Sequence, residues 1–271
     1  MKLICIGDNV VDCYLDEGIY YPGGNAVNVA VNAKKDGAVK VGYIGVFGDD
    51  EEAESIIADL HAEGVDTTRS RRVYAPTAHP GVKLVDGDRV FVKGLRDTCQ
   101  HLFCIRIVDE DIEVIKDYDL IHTSCFSNLE YELEGLSKLL DVSFDYSERM
   151  DDEYLERTIR HVKYAFFSAS GFSDEDAKAF LEHAHDLGGT IIGVTRGSRG
   201  ALFYDGNEYY AQPVKFVTPV DTMGAGDSFI AGFLVKIADG YSIPEALDYA
   251  ATVSAETCLV HGGWGHPHKL H

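Results

Sequence analysis

The sequence predicts an α/β protein: a sandwich of helices about a mainly parallel sheet, forming one domain over residues 1–271, with a small separate β-sheet as a lid. Three observations carry that expectation. Short apolar runs alternate with stretches of helical periodicity, helix after strand, as in a parallel sheet. The 271 residues are 45% hydrophobic and hold no internal repeat or low-complexity linker, which fits one large core better than a string of modules. Between Val65 and about Arg96 the helical periodicity lapses and extended segments replace it.

Taken in order, Leu3 to Gly7 reads as a buried strand, Asn25 to Lys35 as a helix, and Lys40 to Phe47 as a second strand. Glu51 to Glu63 reads as a second helix whose Ile56, Ile57 and Leu60 form an apolar face. Arg72 to Tyr74, Gly81 to Val85 and Arg89 to Val92 read as strands, with Asp86-Gly87-Asp88 as a hairpin turn. With Val10 to Leu15 they place lid strands at about 10–16 and 70–96. After Asp109 the alternation resumes. Strands are expected at Leu120 to Thr123, Val142 to Asp145, Tyr164 to Phe167, Thr190 to Thr195 and Ala201 to Tyr204, and helices at Tyr131 to Leu140, Asp151 to His161 and Asp174 to Leu187. Ser173 is a good N-cap for the last helix, followed by acids that suit its dipole, and Gly188-Gly189 stops it. Two helices, Gly226 to Asp239 and Ile243 to Val260, close the chain.

Lys and Arg number 24 against 45 Asp and Glu, a formal charge of −21. Such a surface repels nucleic acid and anionic lipid, so neither is an expected partner, and it suits a cationic or amine-bearing ligand. No apolar run reaches the ~20 residues of a membrane span. Met1 to Gly7 runs directly into a strand with no signal-peptide pattern, which points to the cytoplasm. Six scattered cysteines fit reduced thiols rather than a disulfide framework or a zinc site. His183 and His185 point to different helix faces, and His266, His268 and His271 read as surface residues of a terminal tail.

The stretch from Val220 to Leu234 organises the rest. Gly224, Ala225 and Gly226 leave backbone N–H groups open to a ligand, and the apolar helix that follows adds its positive dipole end, which makes an anion site. Phosphate is the anion such turns most often hold, and Asp227 stands beside it in the first helical turn, kept ionised by the dipole. That pairing suggests phosphoryl transfer with Asp227 as proton acceptor. Gly-Ala-Gly-Asp alone fits a tight turn with a capping acid equally well.

Two further segments carry polar side chains at glycine-rich turns. Asp12, Asn25 and Asn28 flank Gly23-Gly24, a combination that suits a hydroxyl-rich ligand, although a plain loop with Asn25 as helix cap also accounts for it. Thr195-Arg196-Gly197-Ser198-Arg199-Gly200 could hold a nucleotide by hydroxyl and backbone N–H, with Arg196 or Arg199 offsetting the acidic surface; a plain β-turn is the simpler reading.

The longer strings decide between these readings. Asp221-Thr222-Met223-Gly224-Ala225-Gly226-Asp227-Ser228-Phe229-Ile230-Ala231-Gly232 closely resembles the C-terminal signature of the ribokinase-like (PfkB) carbohydrate kinases, and Gly23 to Ala30, with Gly42, Gly45 and Gly48-Asp49-Asp50, resembles the family's other signature. A Ser168-Ala169 pair, Asp88-Arg89-Val90-Phe91, Met223 and a closing His261-Gly262-Gly263-Trp264 are similar to the fructoselysine 6-kinases within it.

The resemblance implies a ribokinase-like three-layer α/β/α sandwich with a β-sheet lid, and ATP-dependent phosphorylation of a primary hydroxyl on a sugar or amino-sugar adduct. It implies Asp227 as base, Gly224, Ala225 and Gly226 as the anion turn, and Asp12, Gly24, Asn25 and Asn28 at the sugar. Thr195, Gly197, Gly200 and His261 fall to the nucleotide, and Asp221 to a monovalent cation site for K⁺. A homodimer through the lid is expected.

Two departures stand out. Arg196 replaces the usual Leu of the nucleotide segment, and Ser168-Ala169-Ser170-Gly171 stands where many members carry Asn-x-x-Glu to organise Mg²⁺, leaving water, Asp174 or Glu175 as substitutes. A sugar- or nucleotide-binding protein without turnover would explain the second departure, but Asp227 speaks against it. A dinucleotide-dependent oxidoreductase would need Gly-x-Gly-x-x-Gly after the first strand, where Gly7 to Asp12 lacks two of the glycines.

Overall fold

In chain order, β1 (Lys2–Gly7) leads to the hairpin β2 (Val10–Tyr14) and β3 (Ile19–Gly23), helix α1 (Asn25–Lys35), β4 (Lys40–Phe47), α2 (Glu51–Ala62), the two-residue β5 (Arg71–Arg72), and the strands β6 (Gly81–Val85) and β7 (Asp88–Val92). Helices α3 (Cys99–Leu102) and α4 (Asp109–Ile115) precede β8 (Leu120–Ser124), α5 (Leu133–Leu136), β9 (Asp141–Ser147), α6 (Asp152–Thr158), β10 (Tyr164–Ser168) and α7 (Asp174–Asp186). Strands β11 (Ile191–Thr195), β12 (Ala201–Tyr204) and β13 (Tyr209–Gln212), helices α8 (Ala225–Ala238) and α9 (Ile243–Thr257), and β14 (His268–Lys269) complete the computed structural model, which describes residues 1–85, 88–92, 94 and 96–270.

The central sheet runs β13-β12-β11-β10-β9-β8-β1-β4-β5, parallel from β5 through β11, with β12 and β13 antiparallel at one edge. Its strands are apolar on both faces, as a covered parallel sheet requires. On β1, Leu3 and Cys5 enter a core with α1, α2, α8 and α9, while Ile4 and Ile6 enter a second core with α4, α5, α6 and α7. This two-residue alternation between two cores is the three-layer sandwich expected from the sequence.

The small sheet runs β14-β3-β2-β6-β7, and β2, β6 and β7 fall where lid strands were predicted. Four expectations need correction. Arg71 and Arg72 pair with Val46 and Phe47 of β4, so this part of the 70–96 stretch belongs to the central sheet; Arg71 is turned onto the buried Asp111 beneath it. The helix expected over Tyr131 to Leu140 shrinks to α5, flanked by i→i+3 turns, because Gly135 in its middle weakens helix by ~1 kcal/mol. The helix expected over Asp151 to His161 tightens to a 3₁₀ turn at Ile159–His161. His266 and His268 are not free surface residues: β14 pairs with β3, and both rings reach α2. Asp86 and Gly87 of the expected hairpin turn lie outside the described residues, as does His271, although Val85 and Asp88 pair as such a turn requires. Among the described residues no helix is long and apolar enough to cross a membrane.

Candidate active site

The site gathers at the ends of β1, β8 and β9, where α1 and α8 begin. Gly24 stands at the N-cap of α1 with φ 103°, a conformation that favours glycine, and has no side chain to cap the helix. Asp8, just past β1, does so instead, accepting from Asn25 N at 2.8 Å and Ala26 N at 3.4 Å. Gly224, at φ 73°, caps α8, and a Cβ there would collide with Gly263, so the anion turn and the segment after α9 meet backbone to backbone.

Asp227 sits in the first turn of α8 between two asparagines of α1. The Asn25 amide donates to its Oδ1 at 2.7 Å, and the Asn28 amide to its Oδ2 at 2.6 Å. The same Asn25 nitrogen donates to Asp145 Oδ2 at 2.8 Å, so one amide bridges two acids. Asn25 Oδ1 faces His122 Nε2 at 3.0 Å, and His122 Nδ1 faces Ser143 Oγ at 2.9 Å. An amide oxygen only accepts, so Nε2 carries the imidazole proton and Nδ1 takes the Ser143 hydroxyl. Burial lowers the His122 pKa to about 3, and the ring stays neutral.

The helix dipole alone predicts an ionised Asp227; the structure corrects that expectation. Burial and then the neighbouring Asp145 raise its pKa to about 8 against the pull of the two amides. Burial likewise raises Asp145 to about 6, with Asp8 adding to the shift, and raises Asp8 itself. Burial, and after it the charges of Asp145 and Asp8, thus push Asp227 toward the protonated form. Asp227 is a stronger base than an ordinary carboxylate for it.

Asp221 is buried and ties three segments together. Its Oδ1 accepts from Met223 N at 2.6 Å, and its Oδ2 from Gly262 N at 3.0 Å and the Tyr14 hydroxyl at 2.5 Å. Tyr14 lies on β2, so the small sheet is bonded to the base of the anion turn. Asp12 is buried on the same strand with its carboxylate over Gly23.

On the other side of the anion turn a cavity of about 440 Å³ runs to the turn after β11, lined by Thr195, Gly197 and Gly200 at one end and by Thr222, Ala225 and Gly226 at the other. Three of the four residues expected at the nucleotide are therefore in its wall. His261 is not; its ring is half exposed, with Nδ1 3.9 Å from Asp221 Oδ2. Arg196 is buried in an ion pair with Asp174, and Arg199 donates to Ser170 O. Asp174 thus already holds a cation at the place where the sequence suggested a stand-in for the Mg²⁺ motif. Among the described residues no group of three or more His, Cys, Asp or Glu is arranged to hold a metal.

Asp8, His122, Asp145 and Trp264 were not singled out as site residues in the sequence. Asp8 and Asp145 had a usable signal, since each is an acid at the C-terminal end of a parallel strand, where open sheets bind ligands. His122 reads as an ordinary strand residue until its partner, 97 positions away, is known.

The description of the pfkB family carbohydrate kinases matches residues 2–124 and 143–267. The fructosamine kinase FrlD of Bacillus subtilis is 41% identical over 100% of this chain and 96% of its own, and the fructoselysine 6-kinase of Escherichia coli is 34% identical over 97% and 99%. Among solved structures, the ribokinase of Arabidopsis thaliana complexed with ribose and ATP superposes with a TM-score of 0.82 at 20% identity, covering 96% of this chain and 93% of that one, a likeness of fold. Because the sequence match runs through both halves of the central sheet and takes in α1, with Asn25 and Asn28, and α8, with Asp227, the chain belongs to the pfkB family of carbohydrate kinases.

Proposed function

We propose that the protein transfers the terminal phosphoryl group of ATP to the primary hydroxyl of a sugar–amine adduct, fructoselysine giving fructoselysine 6-phosphate. The relatives named for fructosamine and fructoselysine support that substrate. One observation carries the chemistry: Asp227, a carboxylate of raised basicity, is held by two amide N–H groups at the helix end where Gly224 to Gly226 form an anion turn.

In this reading Asp12, Gly24, Asn25 and Asn28 hold the sugar with its primary hydroxyl toward Asp227. Asp227 takes the hydroxyl proton as the oxygen attacks. Backbone N–H groups of Gly224, Ala225 and Gly226 hold the charge on the moving group, which is most of what a protein contributes to this transfer. Thr195, Gly197 and Gly200 hold the nucleotide; Mg²⁺, when bound with it, neutralises phosphate charge. Asp221 orders the turn, with K⁺ as the ion of a neighbouring cation site.

The small sheet serves as lid to a single kinase domain over 1–271, and Tyr14 links it to Asp221. Val92 on that sheet and Leu15 just past β2, both exposed apolar residues, suit pairing of two lids in a homodimer. The free cysteines, five of the six buried or half-buried, suit the cytoplasm.

A coupled assay of ADP release, run with ATP and Mg²⁺ over ribose, fructose, fructoselysine and other Amadori adducts, tests the reading. Fructoselysine is expected to give the highest kcat/KM; a simple sugar outrunning every adduct would reassign the substrate. Asp227→Asn is expected to keep its melting temperature and lose ~10²- to 10⁴-fold in kcat. Near-normal turnover in that variant would remove Asp227 from the chemistry.

A further inference from the structure

The segment after α9 runs back along α1. Asn32 donates to Gly263 O at 3.4 Å, and Lys35 Nζ to Trp264 O at 2.9 Å. Further on, His266 bridges Asp59 of α2 and Glu63, the C-cap of that helix, at 3.2 and 2.8 Å, His268 reaches Asp59 at 2.7 Å, and Tyr20 stacks on the His268 ring at 5.1 Å. These contacts set Trp264, which is buried, so that its indole Nε1 donates to Asn28 Oδ1 at 3.0 Å. Asn28 is the residue whose amide nitrogen holds Asp227 Oδ2 at 2.6 Å.

An indole N–H donates and never accepts, and a carboxylate accepts and never donates. Between them the Asn28 amide has one arrangement that satisfies both neighbours. Turned over, it would set its oxygen against the Asp227 carboxylate and its NH₂ against the indole N–H, losing both bonds in a buried place. His122 Nε2–H stands in the same relation to Asn25 on the other side of the base.

We propose that Trp264 is a positioning residue for Asp227: its N–H fixes which way round the Asn28 amide sits, and so keeps an amide donor on the base. The inference rests on Asp227 being the base, and its direct readout does not require turnover. The groups that face Asp227 and titrate, or hold its partners, are Asp145 on β9, Asp8 after β1 and His122 on β8. Those around Trp264 are Lys35, Asp59, Glu63 and His266. None of these changes in the variants below.

The amide bond favours ionised Asp227, so losing it raises the carboxyl's pKa, and the acid limb of activity moves to higher pH. Two replacements remove the N–H: Trp264→Phe, and β-(3-benzothienyl)alanine at position 264, which puts sulfur where the N–H was and keeps the ring's shape. Each is made in the natural background and with Asn28→Ala. Carbon-13 NMR titration of the Asp227 carboxyl in the free protein, and kcat/KM for the sugar against pH, are the measurements.

In the natural background both replacements are expected to raise the Asp227 titration by about half to one pH unit and to lower kcat several-fold, leaving KM for ATP within about twofold. With Asn28→Ala, neither is expected to shift the titration further. A benzothienyl variant whose titration superimposes on the natural one overturns the proposal, as does a shift that persists without Asn28. Should Trp264→Phe fail to fold, the benzothienyl variant decides. Failure of the function itself is separate, and appears as natural protein inactive on every sugar while the Asp227 titration still responds.

Discussion

Replacing Asp145 by asparagine removes the charge that presses hardest on Asp227 after burial itself. The two acids accept from the same Asn25 nitrogen at 2.8 and 2.7 Å, so their nearest oxygens are at most about 5.5 Å apart. At an effective dielectric of about 20, unit charges ~5 Å apart repel by roughly 3 kcal/mol, an upper value for a site that water reaches in part. With 1.36 kcal/mol per pKa unit, the expected fall in the Asp227 pKa is about one to two units.

In the role proposed for it Asp227 works deprotonated, and a pKa raised to about 8 would set the acid limb of kcat/KM for the free enzyme. At pH 7 a minority of the natural enzyme then carries the working base, and half or more of Asp145→Asn does. The assay is kcat/KM for the sugar from pH 6 to 10, each profile scaled to its own high-pH plateau so that losses in sugar binding cancel. An acid limb unmoved by Asp145→Asn would refute the claim that these carboxylates are electrostatically coupled. A limb moved upward would mean that the asparagine has taken the Asn25 amide away from Asp227.

Gly224→Ala places a Cβ against Gly263 and forces a left-handed backbone on alanine, so turnover is expected to collapse with a stability loss of about 1–3 kcal/mol, read by coupled assay and thermal melt. A fully active variant would show that the anion turn tolerates displacement. Asp111 is buried beneath Arg69 and Arg71, which hold its carboxyl below the usual range although its own burial opposes them. Asp111→Ala, leaving two partly exposed guanidinium groups without their acid, is expected to cost about 2–3 kcal/mol. The pair's contribution is complete above the ordinary carboxylate pKa and disappears as pH falls through the lowered one, so the gap in melting temperature between variant and natural protein is expected to close in acid.

The elements that read most surely from the sequence were those whose neighbours along the chain explain them. Asn25 to Lys35 and Lys40 to Phe47 have the bounds expected, because apolar periodicity and flanking glycines are local signals. β3, β13 and β14 were missed: their pairing partners, not their own composition, make them strands. In the site, Asp227, Asn25 and Asn28 were legible through two glycine-rich strings that happen to carry them. Asp145 and His122 lie 120 and 97 positions from Asn25, and nothing local marks an acid at a strand end as one half of a coupled pair. The pressure on Asp227 could not be read either, since a first-turn acid looks stabilised until the other acids folded around it are counted.

The sequence contains one tryptophan, and it is the residue whose indole touches Asn28. Emission excited at the red edge of protein absorbance therefore comes from a single fluorophore one side chain removed from Asp227. A sugar that draws on the Asn28 amide would change the polarity around that ring and with it the wavelength and yield of its light. Stopped-flow mixing without nucleotide could then time the arrival of the acceptor substrate, with no label attached.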